Sequence, residues 1–262
     1  EIIKIKDSSS KKPKMNLRKF VVILRDITKQ KTLDEERDEF ISVVSHELRT
    51  PVAILEGSLS NLELLIQKKA PFEMLEKATQ TAYKQNTFLA TMVNDLSALS
   101  RAERGVGDMF EKINPKDLAE NLFNKYNKSA AEKGLMLNLN LENNLNCVKT
   151  NKLYLEELLQ NFITNSLKYT REGSVEIRFK NSEKGVIFEI KDTGIGISPQ
   201  DQKRVFEKFY RSEDWRTRET GGTGLGLYVS TKLAAKLGTK IQLESKLNHG
   251  SRFFFELPKY RK

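Results

Sequence analysis

Ile41-Ser42-Val43-Val44-Ser45-His46-Glu47-Leu48-Arg49-Thr50-Pro51-Val52-Ala53-Ile54-Leu55 opens a run whose apolar residues recur every three or four positions. Ile41, Val44, Leu48, Val52, Leu55, Leu59, Leu62 and Ile66 continue that step, which is the seam of a packed helix. Lys68-Lys69-Ala70-Pro71 breaks the pattern. A second seam follows through Leu75, Ala78, Ala82, Gln85, Leu89, Met92, Leu96 and Leu99. Two long helices joined by a short loop form an antiparallel hairpin. One hairpin cannot bury both seams, so pairing with a second copy into a four-helix bundle is predicted. The hairpin reads as a homodimerisation module.

Within the first seam, His46 lies two residues from both Val44 and Leu48, about 200° around the helix from each. It is therefore expected to face solvent. A lone histidine there is ordinarily a surface residue, but its neighbours are not ordinary. Glu47 sets a carboxylate beside the imidazole, and Thr50 places a hydroxyl one turn on, on the same face. Pro51 removes a helix hydrogen bond and is expected to bend the helix. A neutral imidazole keeps one unprotonated nitrogen, which is a nucleophile.

Upstream, Glu1–Lys6 and Leu17–Arg25 read as strands around a polar turn, Asp7–Lys14. Two strands alone are marginal in water, so the segment is expected to be the end of a domain that begins earlier. Downstream of Arg101-Ala102-Glu103-Arg104-Gly105 the pattern is mixed. Helical periods appear near Pro115–Lys133, Lys152–Tyr169, Pro199–Tyr210 and Leu225–Leu237. Strand-like runs appear at Met136–Leu141, Ser174–Phe179, Gly185–Lys191, Lys240–Ser245 and Arg252–Leu257. That order predicts an α/β sandwich with helices over one face of a mixed sheet.

Four stretches of this second half bear polar chemistry. Asn161, Asn165 and Lys168 stand at i, i+4 and i+7, so two amides and an ammonium share one helix face. Amide carbonyls suit a hard cation that keeps waters and takes phosphate oxygens; read alone, the segment is also an ordinary polar helix face. Asp192-Thr193-Gly194-Ile195-Gly196-Ile197 follows a strand and sets a carboxylate ahead of a tight turn. Gly221-Gly222-Thr223-Gly224-Leu225-Gly226-Leu227 opens a helix with backbone N–H groups free for phosphate, without the spacing of a Walker A loop. Between these two lies Val205-Phe206-Glu207-Lys208-Phe209-Tyr210-Arg211, then a polar stretch that reads as a lid, with Arg211 in reach of a terminal phosphate.

Composition narrows the alternatives. The 262 residues carry 45 Lys+Arg against 35 Asp+Glu, a net charge of +10. The basic residues are scattered, so nucleic acid is not an expected partner. One cysteine, Cys147, excludes an internal disulfide, and two histidines, His46 and His249, are too few for the usual multi-histidine metal site. No stretch approaches the roughly 20 apolar residues that cross a bilayer, so no direct membrane insertion of this chain is expected, nor a secretory leader at its start.

In order and spacing, these motifs resemble the sensor histidine kinases of two-component signalling, over residues 30 to 258. Ser45–Pro51 matches the family's phosphoacceptor motif, residues 161–170 its N box, 192–197 and 221–227 its two glycine boxes, and 205–211 its F box. Asp26-Ile27-Thr28 is similar to the exit of a PAS sensor domain. The resemblance implies an all-α dimerisation and phosphotransfer hairpin at 29–104, then a catalytic α/β sandwich of the Bergerat (GHKL) type at 105–262, preceded at 1–28 by a PAS remnant. It implies ATP and Mg²⁺ as cofactors, His46 as phosphoacceptor, Glu47 as general base and Thr50 as the residue that positions water for dephosphorylating a regulator. It further implies that Asn165 binds Mg²⁺ with Asn161 beside it, that Lys168 and Tyr169 face the phosphates, and that Asp192 reads adenine. Gly194, Gly196, Ile197, Arg211, Gly222, Thr223, Gly224, Leu225 and Gly226 complete the implied ATP site. The implied partners are a second copy of the chain and a response-regulator receiver domain. The implied location is the cytoplasm, either free or as the inner part of a membrane-anchored sensor. Two positions depart from the family pattern: Thr150-Asn151 stands where an aspartate is common, and Ser166 replaces a frequent alanine. His249 matches no catalytic position and reads as a surface loop residue. The competing readings are an ATP-operated clamp without a phosphoacceptor, a non-catalytic dimeric scaffold, and a basic nucleic-acid-binding protein.

Overall fold

The computed structural model describes residues 2–4, 20–22, 26–105, 109–214, 216–217 and 221–260. Near the start, β1 (Ile2–Lys4) pairs antiparallel with β2 (Phe20–Val22). The turn expected between them, Asp7–Lys14, lies outside the described residues, as does most of the segment read as a sensor remnant.

The hairpin follows. Its first helix, α1 (Thr28–Gln67), opens where the Asp26 carboxylate accepts the Thr28 N–H at 2.9 Å. It continues as a single helix through Pro51, which is buried. Lys69, at φ 51°, and Pro71 turn the chain into α2 (Phe72–Arg104). Gly105 ends α2 in the left-handed conformation at φ 65°, with Arg101 and Arg104 in the last turn where cations suit the helix dipole. Ala78, Ala82, Met92 and Leu99 of the second seam are buried. The first seam is only partly covered: Val44 and Leu48 pack against the core, but Ile41, Leu59 and Ile66 remain 50%, 48% and 60% exposed. Apolar residues repeating along one stripe of a helix at that exposure are unusual for a lone domain.

The second half is a five-stranded sheet under helices. In it β4 (Met136–Leu141) runs parallel to β6 (Ser174–Asn181). Beyond β6 lie β7 (Gly185–Asp192), β9 (Ser251–Pro258) and β8 (Gln242–Ser245), each antiparallel to its neighbour, in the order β4-β6-β7-β9-β8. Three helices, α3 (Pro115–Glu132), α4 (Lys152–Tyr169) and α6 (Gly226–Lys236), accompany the sheet, and α5 (Pro199–Gln202) is a single turn. Alternation along the strands explains the layering. Val175, Ile177 and Phe179 of β6 and Phe253, Phe255 and Leu257 of β9 are buried, as are Leu155, Leu158, Leu159, Phe162 and Ile163 of α4. Phe162 stacks on Phe253 at 5.1 Å between centroids, and Phe188 on Phe255 at 5.3 Å. Each fully buried phenylalanine stabilises by about 2–3 kcal/mol relative to an exposed one.

The opposite face is held by charge. Glu189 is 1% exposed, with Arg252 at 2.7 Å and Arg178 at 3.5 Å. A carboxylate so buried is tolerated only because it is paired.

Two expectations are corrected. A short antiparallel pair, β3 (Glu111–Ile113) with β5 (Val148–Thr150), carries too few residues for a period and was not predicted. The helix expected over Pro199–Tyr210 ends after Gln202. Its stop is the Asp201 side chain, which accepts hydroxyl donations from Tyr210 at 2.5 Å and Ser212 at 2.8 Å and draws the chain back on itself, with Phe209 at φ 59°.

Candidate functional site

A cleft of about 1030 Å³ lies between α4, the turn after β7, the glycine-rich loop before α6, and the facing side of α2. Asn161, Asn165, Lys168, Tyr169, Asp192, Gly196, Ile197, Arg211, Gly222, Thr223, Gly224 and Gly226 all line it. The sequence motifs, up to 65 residues apart, are thus gathered in one place. Two expected members do not line it. Leu225 is fully buried in the core, and Gly194 sits behind the wall, its N–H donating to Asp192 Oδ1 at 2.9 Å.

On α4, the Asn151 side chain accepts the Tyr154 N–H at 3.0 Å and caps the helix. Asparagine caps as well as aspartate, so the departure at Thr150-Asn151 leaves the helix start intact. One turn apart, Asn165 donates its amide to Asn161 Oδ1 at 3.0 Å. Asn161 in turn donates to the Gly226 carbonyl and to Ser230 Oγ, the latter at 2.8 Å. Asn161 is therefore spent on tying α4 to the first turn of α6. Asn165 has its amide engaged, and its carbonyl oxygen is an acceptor of the kind a hard cation can take. Lys168 Nζ lies 4.8 Å from the Tyr169 ring centre and against Gly222, where an added Cβ would stand 2.5 Å from it.

Asp192 is a buried carboxylate in the cleft wall, 5% exposed. Burial pushes its carboxyl up from the ordinary range, opposed by donations from the N–H groups of Gly194 and Ser251 and from the Ser166 hydroxyl. Oδ1 accepts both N–H groups and Oδ2 the hydroxyl, at 3.2 Å. The departure at Ser166 thus adds a donor to this carboxylate. Gly196 makes the turn after it, at φ 64°, with the Lys246 carbonyl 2.1 Å from where a Cβ would stand. No side chain fits there.

The hairpin supplies what the sequence reading missed. Thr223 donates its hydroxyl to Asp95 Oδ2 at 2.6 Å, across 128 residues. Desolvation raises the Asp95 carboxyl, against the lowering effect of that bond and of Lys168. Arg101 pairs with Glu157 at 3.0 Å, and Phe40 meets Phe209 at 5.8 Å between centroids. A usable signal was present: Asp95 follows Met92 by three and precedes Leu99 by four, a carboxylate on an apolar stripe.

His46 stands elsewhere. Its side chain is 74% exposed, as its position predicts, with Nδ1 3.6 Å from Glu47 Oε1. Thr50 is likewise exposed, and no residue of α1 lines the cleft. His249 lies exposed in the turn between β8 and β9. Among the described residues no helix is long and apolar enough to cross a membrane.

Comparison with known proteins assigns each half. Residues 36–105 match the model of the His Kinase A (phospho-acceptor) domain, and residues 150–261 that of the histidine kinase-, DNA gyrase B- and HSP90-like ATPase. The chain is 34% identical over 257 residues to drug sensory protein A of Synechocystis, covering 94% of this chain and 38% of that protein. It is 31% identical over 245 residues to sensor protein SrrB of Staphylococcus aureus, covering 91% and 41%. It thus spans about two fifths of the length of the curated relatives it matches. Among solved structures, full-length ShkA in complex with AMPPNP superposes with a TM-score of 0.62 at 27% identity, over 86% of this chain and 46% of that one. The Acinetobacter baumannii histidine kinase AdeS gives 0.63 at 26%, over 82% and 98%. A phospho-acceptor hairpin followed by an ATPase-type sandwich, with both family models matched in that order, places this chain in the sensor histidine kinase family of two-component systems.

Proposed function

We propose that the chain phosphorylates itself on His46 from Mg-ATP and passes the phosphoryl group to an aspartate of a response-regulator receiver domain. The observation that carries this reading is an exposed histidine–glutamate pair on a hairpin whose second helix walls a cleft suited to a nucleotide. In the cleft, Asp192 accepts the adenine amino group and Lys168 meets the phosphate charge, with Arg211 at the terminal end. The Asn165 carbonyl suits Mg²⁺, which when bound would neutralise phosphate charge. Among the described residues no cluster of three or more His, Cys, Asp or Glu is placed to hold a metal, so phosphate and water would supply its other ligands. The AMPPNP complex of the related ShkA supports the nucleotide assignment.

At His46 the chemistry is positioning and proton control. Glu47 faces Nδ1, so Nδ1 carries the proton and Nε2 presents its lone pair. The N–P bond forms at Nε2 as the bond from the γ-phosphorus to the β,γ-bridging oxygen breaks, ADP leaves with that electron pair, and Glu47 takes the Nδ1 proton. Thr50, one turn on, positions water for the reverse duty of dephosphorylating the regulator. The exposed part of the first seam, Ile41, Val52, Leu59 and Ile66, is the face that a second copy covers, completing a four-helix bundle. Because α1 lines no part of the cleft, transfer requires the sandwich to leave this position or to receive the histidine of the second copy. The paired β1 and β2 and the Asp26 turn fit the exit of a PAS sensor that feeds α1.

Incubation with γ-labelled ATP and Mg²⁺, with His46→Gln in parallel, tests the reading. Label that acid removes, alkali spares and the substitution abolishes is the expected result, followed by its passage to a receiver domain. Hydrolysis of ATP with no label on the protein would overturn the kinase assignment in favour of a nucleotide-driven clamp.

A further inference from the structure

Where the cleft meets the hairpin, a carboxylate occupies the mouth of the glycine-rich loop. Thr223 gives its hydroxyl to Asp95 Oδ2 at 2.6 Å while the same hydroxyl oxygen accepts the Leu225 N–H at 3.2 Å. The loop is therefore held in shape by an acid that belongs to another domain. Lys168 stands against the neighbouring Gly222 and attracts the same carboxylate. An anion that takes a hydroxyl of the glycine-rich loop, in a cleft that also holds the Lys168 ammonium, has part of the surroundings a phosphate group would have.

We propose that Asp95 occupies the phosphate end of the cleft in competition with the terminal phosphate of the nucleotide, so that nucleotide binding and this grip of the hairpin on the glycine-rich loop exclude one another. The proposal rests on the nucleotide reading of the cleft given above. Two like charges cannot share one donor set without repulsion in a half-buried site. Nucleotide entry then has a mechanical consequence. The Asp95–Thr223 bond sits in the same interface as Arg101–Glu157 and Phe40–Phe209, and losing it loosens the hold of α2 on the sandwich. In the gripped state α1 lines no part of the cleft, so release of this contact is a step toward His46.

The test is the affinity for ATP, ADP and adenosine in the presence of Mg²⁺, measured by calorimetry on the whole chain and on Asp95→Asn and Asp95→Ala. Asp95→Asn is nearly isosteric and still accepts from Thr223, so it isolates charge from packing. Both variants are expected to bind ATP about tenfold more tightly, ADP less so, and adenosine as the parent does. Label incorporation at His46 should rise in step. Unchanged or weakened ATP binding in Asp95→Asn overturns the proposal, because it makes Asp95 a support of the phosphate site and not its competitor. A gain that is equal for adenosine also overturns it. If neither the parent nor the variants bind any nucleotide, the nucleotide reading falls and this proposal with it. If all bind ATP equally, this proposal alone falls.

Discussion

Asn161 offers the sharpest test of how the site is assembled, because its environment predicts a reversal of sign. Asn161→Ala removes two donated bonds, to the Gly226 carbonyl and Ser230 Oγ, and one accepted from Asn165. At a net value near 1 kcal/mol for each, the loss is about 2–3 kcal/mol of stability. Gly226 is helical, so alanine there gains about 0.5–1 kcal/mol from propensity alone. Yet the added Cβ would lie 2.8 Å from Asn161 Oδ1 and 3.1 Å from Nδ2. In the parent the clash must displace the amide and strain its bonds, for a net cost of about 1–2 kcal/mol. In the Asn161→Ala background the space is open, and Gly226→Ala becomes neutral or stabilising by up to about 0.5 kcal/mol. The coupling between the two sites is then about 1–2.5 kcal/mol. Urea denaturation of the four proteins followed by circular dichroism measures it. Effects that add within about 0.5 kcal/mol would refute the claim that Asn161 is the tie between α4 and α6.

The remaining predictions concern charge and backbone. Burial raises the Asp192 carboxyl, so it protonates at a higher pH than an ordinary carboxylate and stops accepting the adenine amino group. In an Asp95→Asn background, which removes the other raised carboxyl of the cleft, ATP affinity should fall on acidification before carboxylates of ordinary pKa titrate, and adding Asp192→Asn should remove that limb. The raised value has the opposite effect on folding, since this group's contribution to stability grows as pH falls through its folded pKa. For Asp201, burial alone would raise the carboxyl, but the hydroxyls of Tyr210, Ser212 and Ser198 outweigh it and hold the group low. Its contribution is therefore present above the unfolded pKa and lost as pH falls through the folded one, and Asp201→Asn should speed proteolysis around Tyr210–Thr217 at neutral pH. Arg252→Leu leaves the buried Glu189 with Arg178 alone and should destabilise the sheet by about 2–3 kcal/mol, with Glu189→Leu in the same chain recovering much of the loss in urea denaturation. Gly196→Ala should abolish measurable ATP binding while the hairpin keeps its helical signal, because the Lys246 carbonyl fills the space a Cβ needs.

Local pattern carried a large part of this molecule. The two seams, their breaker at Lys68–Pro71 and the exposure of His46 all follow from a period of 3.6, which each helix obeys whatever surrounds it. Asn161, Asn165 and Lys168 share a face for the same reason. The alternation of β6 and β9 shows in the letters because one face meets helices and the other water. What failed to show was set by partners distant in sequence. The helix expected to reach Tyr210 stops at Gln202 because the Asp201 carboxylate is worth more to Tyr210 and Ser212 than another turn of helix is. Asn161 looked like one more polar group facing a ligand until its amide was found on Gly226 and Ser230.

Sequence alone determined which residues can do chemistry here, since nucleophile, amides, carboxylate and glycine loop are properties of side-chain type and local spacing. Tertiary structure decided how those groups are disposed: Asn161 as a tie, Asp192 under three donors, Asp95 hydrogen-bonded to Thr223 in the cleft, and His46 outside it. The physical reason is range. Helical and strand periods arise between residues a few positions apart, whereas a hydrogen bond across 128 residues exists only once two domains have packed; the pattern marks Asp95 as an acid on an apolar stripe but does not name its partner.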